Sequence, residues 1–313
     1  MSKANSNEKA LEKLVALAIE THIFGGRKKL QKSDINFNET SDSEKVISLG
    51  SKKIINPELI APFYVYKRQA ITLCSLHSIF YSKFYLVAED KFDMIEEKLT
   101  EIGNAFSNYS AWFIKNYVDN INSWAEDHPT WREKIIRSAP PLSYVEESLG
   151  FEFFKYKIDA TSFKFSKTDK TNGFKSNVEI GLGEMLLNEI SEESMEVFKH
   201  FINGGSLSTK TLSPLERIRD KLNSLSFVDN MIIPVLDVVS STIDSLRSKS
   251  SFTISDTTMM LALVNMLTDP VKLMAVGSSQ ATVDSLFSES FGVDANNVSK
   301  TSVNSKTIEE SFF

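Results

Sequence analysis

The longest regular pattern in the sequence is an apolar stripe that recurs every three or four residues between about Glu89 and Trp124. This spacing places the apolar side chains on one face of an α-helix. At 1.5 Å per residue the helix would be on the order of 50 Å long. We expect it to be the spine of the fold, with a break near Gly103. The stripe consists of Phe92, Ile95, Leu99, Ile102, Phe106, Phe113, Tyr117 and Ile121.

Other apolar patterns predict more helices and a little β-structure. Residues 8–23 have helical spacing and end at Gly25-Gly26. Asn56-Pro57-Glu58 is a typical helix start, because Asn caps helices and Pro fits the first helical position. Aromatic-rich runs at 79–87 and 151–167 are typical of strands or short hairpins. Further helices are expected over 56–78, 178–202, 213–246 (kinked or split at Pro234) and 255–276. The expected fold is mainly α, a helical bundle with a long central helix and one or two small β-hairpins.

The composition of the chain and the position of its prolines indicate how this fold is divided into regions. The hydrophobic content of 42% and the 22 Phe are enough for a core, so global disorder is excluded. We expect an N-terminal helical region with the basic glycine segments at 1–140, because Pro140-Pro141 marks a boundary. A β-hairpin with more helices would follow at 141–276. Residues 277–313 are Ser-rich and are expected to form a flexible tail.

Targeting and membrane signals are missing from the sequence. The first eight residues are polar, which does not fit a secretory signal. The most apolar later stretch, 231–246, contains Pro234, Asp237 and Asp244 and is too short to span a bilayer. The expectation is a soluble, intracellular protein that does not associate with membranes.

The residue types that carry most enzyme chemistry are sparse and scattered. Cys74 is the only cysteine, which excludes an intramolecular disulfide. The four histidines lie far apart without a metal-binding spacing, so we expect neither a metal nor another cofactor. No Gly-x-Ser-x-Gly elbow or comparable nucleophile signature is present. The protein is therefore expected not to be an enzyme.

Two segments near the N-terminus place glycine directly before cations. They are Gly25-Gly26-Arg27-Lys28-Lys29 and Gly50-Ser51-Lys52-Lys53, in a chain whose net charge is −6. Backbone freedom beside positive charge suits a phosphate, a carboxylate or an acidic partner surface. A Walker A loop is not indicated, since the hydroxyl residue and the preceding strand are missing. The structural alternative is a helix C-cap with cations beside the helix dipole. As partner-binding residues the sequence suggests Arg27, Lys28, Lys29, Lys52 and Lys53.

The segment 151–175 interleaves aromatic residues with lysines. Single-stranded nucleic acid binds by stacking on aromatics beside a cationic groove, so these residue types fit such a site. The alternative is a hairpin whose aromatics face the core and whose lysines face water. The residues concerned are Phe153, Phe154, Lys155, Tyr156, Lys157, Phe163, Lys164 and Phe165.

The last residues combine two acids with two phenylalanines, in the order Glu309-Glu310-Ser311-Phe312-Phe313. Such a composition is typical of a short docking segment, whose rings enter an apolar pocket while the acids meet cations. We expect Phe312 and Phe313 to bind a partner or the protein's own core. A frayed end is the alternative.

Three segments together resemble an uncharacterised family of bacteriophages and integrative elements, known only as a domain of unknown function. They are Gly26-Arg27-Lys28-Lys29-Leu30, the run from Leu49 to Leu59, and Leu225-Ser226-Phe227-Val228-Asp229. Genes of that family stand near MoxR-type AAA+ ATPases and von Willebrand factor A-domain proteins. The resemblance implies a protein partner of one of these kinds, in the cytoplasm of a bacterial host cell.

The function expected from the sequence is therefore that of a non-enzymatic phage or mobile-element accessory protein. It would act through protein–protein contacts with a co-encoded AAA+ ATPase or DNA-processing machinery. Two alternatives stay open, a single-stranded nucleic-acid-binding protein of phage replication or recombination and a self-assembling structural protein.

Overall fold

A computed structural model describes residues 8–31, 34, 50–159, 166–169, 176–179, 181–203 and 207–278. The chain divides into two compact units. The first, called the mixed unit below, comprises Val15–Ser75 and Phe80–Lys157. The second, called the helical unit, comprises Met1–Leu14, Leu76–Ile79 and Ile158–Phe313.

Six of the described strands form a four-stranded sheet and a two-stranded ribbon. They are β1 (Leu14–His22), β2 (Arg27–Lys29), β3 (Ser51–Lys53), β4 (Ser78–Tyr81), β5 (Phe84–Ala88) and β6 (Gly150–Lys157). The sheet has the order β4-β5-β1-β6, and β2 pairs with β3. The hairpin predicted at 79–87 is confirmed as β4 and β5, with Ser82 at a φ of 60° in the turn.

The helix predicted over 8–23 is wrong. Only residues 8–11 are helical, and the chain continues as β1. β1 pairs antiparallel with β6, from Val15 opposite Lys157 to His22 opposite Gly150. Residues 14–17 of β1 are all buried, so both faces of this part of the strand are covered. Its apolar residues therefore follow one another without the alternation that marks a half-exposed strand.

The described residues of the mixed unit form five α-helices, and the second and third of these contain the predicted apolar stripe. They are α1 (Ala61–Ser75), α2 (Glu89–Lys115), α3 (Tyr117–Glu126), α4 (Arg132–Ser138) and α5 (Leu142–Glu147). A 3₁₀ turn, Pro57–Leu59, precedes α1, and the Asn56 side chain caps it by accepting a hydrogen bond from the Glu58 N–H at 3.0 Å. The Asn-Pro start is therefore confirmed, although the first turn is 3₁₀ and the α-helix begins at Ala61.

The long central helix breaks at Asn116 and not at Gly103. The Asn116 side chain donates to the Trp112 carbonyl at 2.7 Å, where α2 ends and α3 begins. A Cβ at Gly103 would lie 3.1 Å from the Phe151 ring. Because Gly103 has no side chain, the Phe151 ring of β6 can pack against α2 at this position, and the helix continues past Gly103.

Aromatic residues dominate the core where α1, α2 and α3 meet. The Phe63 ring contacts Phe106, Tyr109 and Phe113 at centroid distances of 5.0, 4.9 and 5.5 Å. Edge-to-face geometry at these distances adds to the gain from burial. Ile54, Ile55 and Ile60 join the same cluster from the segment that follows β3, and this fixes the ribbon beside α1.

Besides the helical residues 8–11, the helical unit contains a small hairpin and five helices among its described residues. The hairpin pairs β7 (Ser166–Asp169) with β8 (Ser176–Glu179), and the helices are α6 (Leu182–Ile202), α7 (Thr209–Ser224), α8 (Ile232–Arg247), α9 (Ile254–Leu267) and α10 (Pro270–Gly277). Ser208 caps α7 in a capping box with Thr211, so the predicted start at Ser213 is wrong and Pro214 lies inside the helix. The helical stretch expected to be kinked or split at Pro234 is split before that residue, since α7 ends at Ser224 and α8 begins at Ile232. Pro234 itself falls in the first turn of α8, where proline is tolerated.

A buried ammonium group joins α6 to α7. Lys221 is 2% exposed, and its Nζ donates to Glu189 Oε2 at 2.8 Å and to Glu193 Oε1 at 2.7 Å. Burial alone would lower the pKa of Lys221. The charges and hydrogen bonds of Glu189 and Glu193 outweigh burial and raise that pKa above its ordinary value.

The described residues are mainly α-helical with small β-sheets, as predicted, but they are not a helical bundle throughout. No single helix in the described ranges is long and apolar enough to cross a membrane. α9 and α10 reach that length and apolarity only as a pair, with a bend of 96° between them.

Candidate binding site

The two glycine–cation segments of the sequence form one structure. β2 and β3 pair antiparallel, with Arg27 opposite Lys53 and Lys28 opposite Lys52. The Ile54 N–H donates to the Gly26 carbonyl at 3.0 Å and extends this ladder by one pair. We call the two strands the basic ribbon. The helix end predicted at Gly25-Gly26 is wrong, because these residues lie between β1 and β2.

Gly26 is required by the path of the chain between β1 and β2. Its φ is +62°, a left-handed conformation that residues with a Cβ rarely adopt. A Cβ there would also lie 2.9 Å from Cγ2 of Ile55 and 3.1 Å from Cγ1 of Ile60. The glycine therefore lets the backbone pass close to the core just before the cations begin.

The basic ribbon has two different faces, because side chains alternate along a strand. Arg27, Lys29 and Lys53 are exposed on the outer face. Lys28 is half-buried, with its Nζ 5.4 Å from the centre of the Tyr144 ring. Lys52 also points inward and is 9% exposed. The pairing thus separates the five predicted partner-binding cations into three that face outward and two that contact the protein itself.

Lys52 is held by Asp34, a residue that sequence reasoning did not single out. Lys52 Nζ lies 2.6 Å from Asp34 Oδ2, and the Asp34 side chain is fully buried. The Gln31 N–H donates to the same oxygen at 2.8 Å. The hydrogen bond from Lys52, followed by that from Gln31, lowers the pKa of Asp34. The ion pair fixes β3 to the segment that follows β2, and Lys134 adds a hydrogen bond to the Asp34 carbonyl.

A surface pocket of about 500 Å³ lies between the basic ribbon and the start of α1. Its volume falls within the range of about 300–1,000 Å³ that is usual for small-ligand sites. The backbone of Gly25-Gly26 forms part of one wall, and α1 supplies Tyr64, Val65 and Arg68. The remaining lining residues are Arg27, Lys53, Ile55, Pro57, Ile60 and Ala61.

The electrostatics of the pocket are one-sided. Arg27, Lys53 and Arg68 are exposed at its wall, and within the described part of the chain their side chains form no ion pair. The described lining residues include no Asp or Glu. Three cations without acidic partners, in a chain of net charge −6, make the pocket a local positive site suited to an anionic group.

Sequence reasoning missed Tyr64 and Arg68. They are four residues apart on α1 and therefore share one helix face. This face lies away from the stripe of Phe63 and Ala70, so the helical pattern alone assigns it to solvent. Only the position of β2 beside α1 shows that the face borders a pocket.

The aromatic–lysine segment is divided between the two faces of β6. Phe153 is half-buried and packs on the core with β1 and α2. Lys155 Nζ lies 3.7 Å from the centre of the Phe92 ring. Phe154 and Tyr156 lie on the other face, 37% and 48% exposed, and Lys157 is exposed as well.

Several predicted residues lie outside the described ranges. These are Phe163, Lys164 and Phe165 of the aromatic–lysine segment, and Phe312 and Phe313 of the tail. Among the described residues, no group of three or more His, Cys, Asp or Glu side chains is placed to hold a metal ion. Cys74 is buried, which raises the pKa of its thiol to about 12.

Comparison with protein families identifies the chain. Residues 11–269 match the family described as Protein of unknown function (DUF3150). The chain belongs to DUF3150. Neither the curated proteins nor the solved structures contain a match to it. In this DUF3150 protein the match includes the basic ribbon, the pocket and most of the helical unit, whereas residues 307–313 fall beyond it.

Proposed function

We propose that this DUF3150 protein is a non-enzymatic accessory protein of a phage or mobile element that binds an acidic surface of a protein partner through the basic ribbon. The observation that carries the proposal is the pairing of β2 with β3, which places Arg27, Lys29 and Lys53 on one exposed face. Complementary charge favours encounter with an acidic partner and fixes the register of the contact.

The resemblance noted in the sequence suggests what the partner is. The glycine–cation segments resemble those of a family encoded near MoxR-type AAA+ ATPases, so a co-encoded ATPase is the proposed partner. The chemistry of the pocket supports binding over catalysis, because its described lining consists of cations, apolar side chains, glycines and one tyrosine. These groups hold an anion, and the described lining includes none of the His, Cys, Asp or Glu side chains that often transfer protons in catalysis.

The proposal is tested by co-purification of the tagged full-length protein with a MoxR-type AAA+ ATPase, the proposed partner, from cells that express both. In one variant Arg27→Glu and Lys53→Glu reverse two charges of the outer face. The matched control, Lys83→Glu with Arg132→Glu, reverses two exposed charges that are not part of the ribbon. We expect the ribbon variant to lose the ATPase and the control to retain it. Recovery should also fall between about 50 and 300 mM salt, because exposed charges are screened. Equal recovery by both variants would contradict the proposal.

A second candidate function is single-stranded nucleic-acid binding, which the exposure of Phe154 and Tyr156 on one face of β6 favours. Stacking of a base on an aromatic side chain contributes about 1–3 kcal/mol. Phe154→Ala should therefore weaken oligonucleotide binding about 5- to 150-fold at constant salt. Phe80→Ala is the control, since Phe80 is 49% exposed and lies on β4 at the other edge of the sheet. Binding that is insensitive to both changes rules this candidate out.

A further inference from the structure

The pocket beside the basic ribbon has a more specific composition than its charge alone indicates. One part of its wall is cationic, with Arg27, Lys53 and Arg68. The other part is apolar and includes Ile55, Ile60 and Val65. A fitting ligand has negative charge and an apolar body directly beside each other.

Uncharged polar side chains are almost missing from the described lining. Tyr64 is the single side chain of this type there, and every other lining residue is a cation, an apolar residue or glycine. A nucleotide carries a base and a ribose with many hydrogen-bonding groups, which would find few partners in such a pocket. A leucine or phenylalanine side chain needs no hydrogen-bond partner and gains from contact with the apolar wall.

The backbone of β2 adds a third feature. In an antiparallel ladder, hydrogen-bonded pairs alternate with pairs whose N–H and C=O groups point outward. Gly26 forms a hydrogen-bonded pair with Ile54, so Lys28 and Lys52 form the next one, and the Arg27 N–H and C=O groups point away from β3. They therefore lie on the edge of β2 that is turned away from β3, and because Arg27 also lines the pocket, an extended peptide bound there can pair with them.

From these features we infer that the pocket binds a linear peptide of a partner protein in which an apolar side chain is flanked by glutamates or aspartates. The apolar side chain would contact Ile60 and Val65, and the carboxylates would pair with Arg27, Lys53 and Arg68. Arginine suits this role, because its planar guanidinium pairs with a carboxylate through two parallel hydrogen bonds. The inference rests on the proposed function, since it specifies what the acidic partner contributes.

Direct binding to the full-length protein tests this assignment. The probe is a fluorescein-labelled peptide, Glu-Glu-Leu-Phe-Glu-Glu, followed by fluorescence anisotropy. One control peptide has glutamine in place of every glutamate, and the other has serine in place of leucine and phenylalanine. We expect each control to bind at least tenfold more weakly than the probe. If either control peptide bound as tightly as the probe, the inference would be overturned, because the pocket would then recognise only charge or only apolar surface.

Matched variants of exposed residues test whether the peptide binds in the pocket. Val65 and Ile71 both lie on α1 and are both 37% exposed, but Val65 alone of the two lines the pocket. Val65→Glu should weaken peptide binding at least tenfold, whereas Ile71→Glu should change it less than twofold. Arg68→Glu has Arg132→Glu as its control, with the same expected contrast. Peptide binding that survives Val65→Glu and Arg68→Glu would place the peptide elsewhere and overturn the inference.

Competition experiments distinguish other occupants. Inorganic phosphate or a nucleoside monophosphate that displaces the probe at micromolar concentration would assign the pocket to a phosphate ligand. A peptide with the sequence of residues 307–313 that binds more tightly than the probe would assign it to this chain's own tail. Either result overturns the assignment to a partner.

The two proposals can fail separately. If the ATPase is lost with the ribbon variant but the peptide does not bind, the partner docks on the outer face of the ribbon without using the pocket. If the peptide binds with the expected mutational pattern but no ATPase co-purifies, the pocket assignment holds and the proposed partner is wrong.

Discussion

Replacing three glycines around the basic ribbon by alanine, one at a time, separates backbone strain from steric crowding. Gly26 has a φ of +62° and no room for a Cβ, Gly50 has a φ of +73° and open space, and Gly25 has neither constraint. The same chemical change therefore meets strain with crowding, strain alone, or neither of the two.

The magnitudes follow from these geometries. Left-handed backbone costs a residue with a Cβ about 1–2 kcal/mol. Crowding in a packed core costs about 1–3 kcal/mol, and the 2.9 Å approach of Ile55 Cγ2 to the new methyl group of Gly26→Ala requires the isoleucine to move. Alanine also restricts the unfolded chain, which offsets these costs by up to about 1 kcal/mol. We therefore expect Gly26→Ala to lower the free energy of unfolding by about 2–4 kcal/mol and Gly50→Ala by about 1 kcal/mol. Gly25→Ala should leave it unchanged or raise it by up to about 1 kcal/mol, since alanine restricts the unfolded chain.

Urea denaturation followed by tryptophan fluorescence measures this series. All three tryptophans of the chain, Trp112, Trp124 and Trp131, lie in the mixed unit together with the ribbon. The expected order of destabilisation is Gly26 > Gly50 > Gly25 at an unchanged denaturant dependence. Equal effects of Gly26→Ala and Gly25→Ala would refute the reasoning, because the ribbon would then not require the left-handed turn that precedes it.

Three further predictions concern buried ionisable groups. Lys221→Met should lower the free energy of unfolding by about 2–4 kcal/mol. This is less than for a fully buried ion pair, because the Glu193 side chain is 41% exposed. Circular dichroism in urea measures the loss, and adding Glu189→Gln and Glu193→Gln should restore most of it. Because burial raises the pKa of Cys74 to about 12, about one thiol in ten thousand is ionised at pH 8, and iodoacetamide should label the protein only in denaturant. The lowered pKa of Asp34 stabilises the fold above the ordinary value of 3.8, and this contribution is lost as the pH falls through the lowered pKa. Lys52→Met should raise the pKa of Asp34, measured in a carboxyl ¹³C NMR titration. An unchanged pKa would show that Lys52 and Asp34 do not form the ion pair.

Local patterns in the sequence predicted a helix or a turn correctly where the pattern is compatible with only one secondary structure. The stripe from Phe92 onward specifies α2 and α3, and Asn56 before a proline specifies the turn that precedes α1. β1 was missed because its run of apolar residues fits both a helix face and a strand covered on both sides. Gly26 was recognised as a conformational signal, but a helix end and a turn between strands both use a left-handed glycine.

The candidate site itself could not be predicted from spacing. β2 and β3 pair across more than twenty residues of sequence, and nothing local indicates that pairing. The pocket forms only when β2 pairs with β3 and α1 is oriented so that Arg68 and Gly25 line the same pocket. The cations were identified from composition beside glycine, whereas their division into an outward and an inward set depends on strand register, which a single-residue shift would reverse.

The hydrogen bond between Trp124 and the basic ribbon gives the protein an internal optical reporter. The Trp124 indole N–H donates to the Lys53 carbonyl at 3.4 Å, and its ring lies 4.1 Å from that of His128. Movement of β3 changes the polarity around this fluorophore, so an unlabelled ligand that shifts the ribbon alters the emission of Trp124. With Trp112 and Trp131 replaced by phenylalanine, the remaining signal comes from a single position beside the site, and binding kinetics can be followed by stopped-flow mixing without any attached dye.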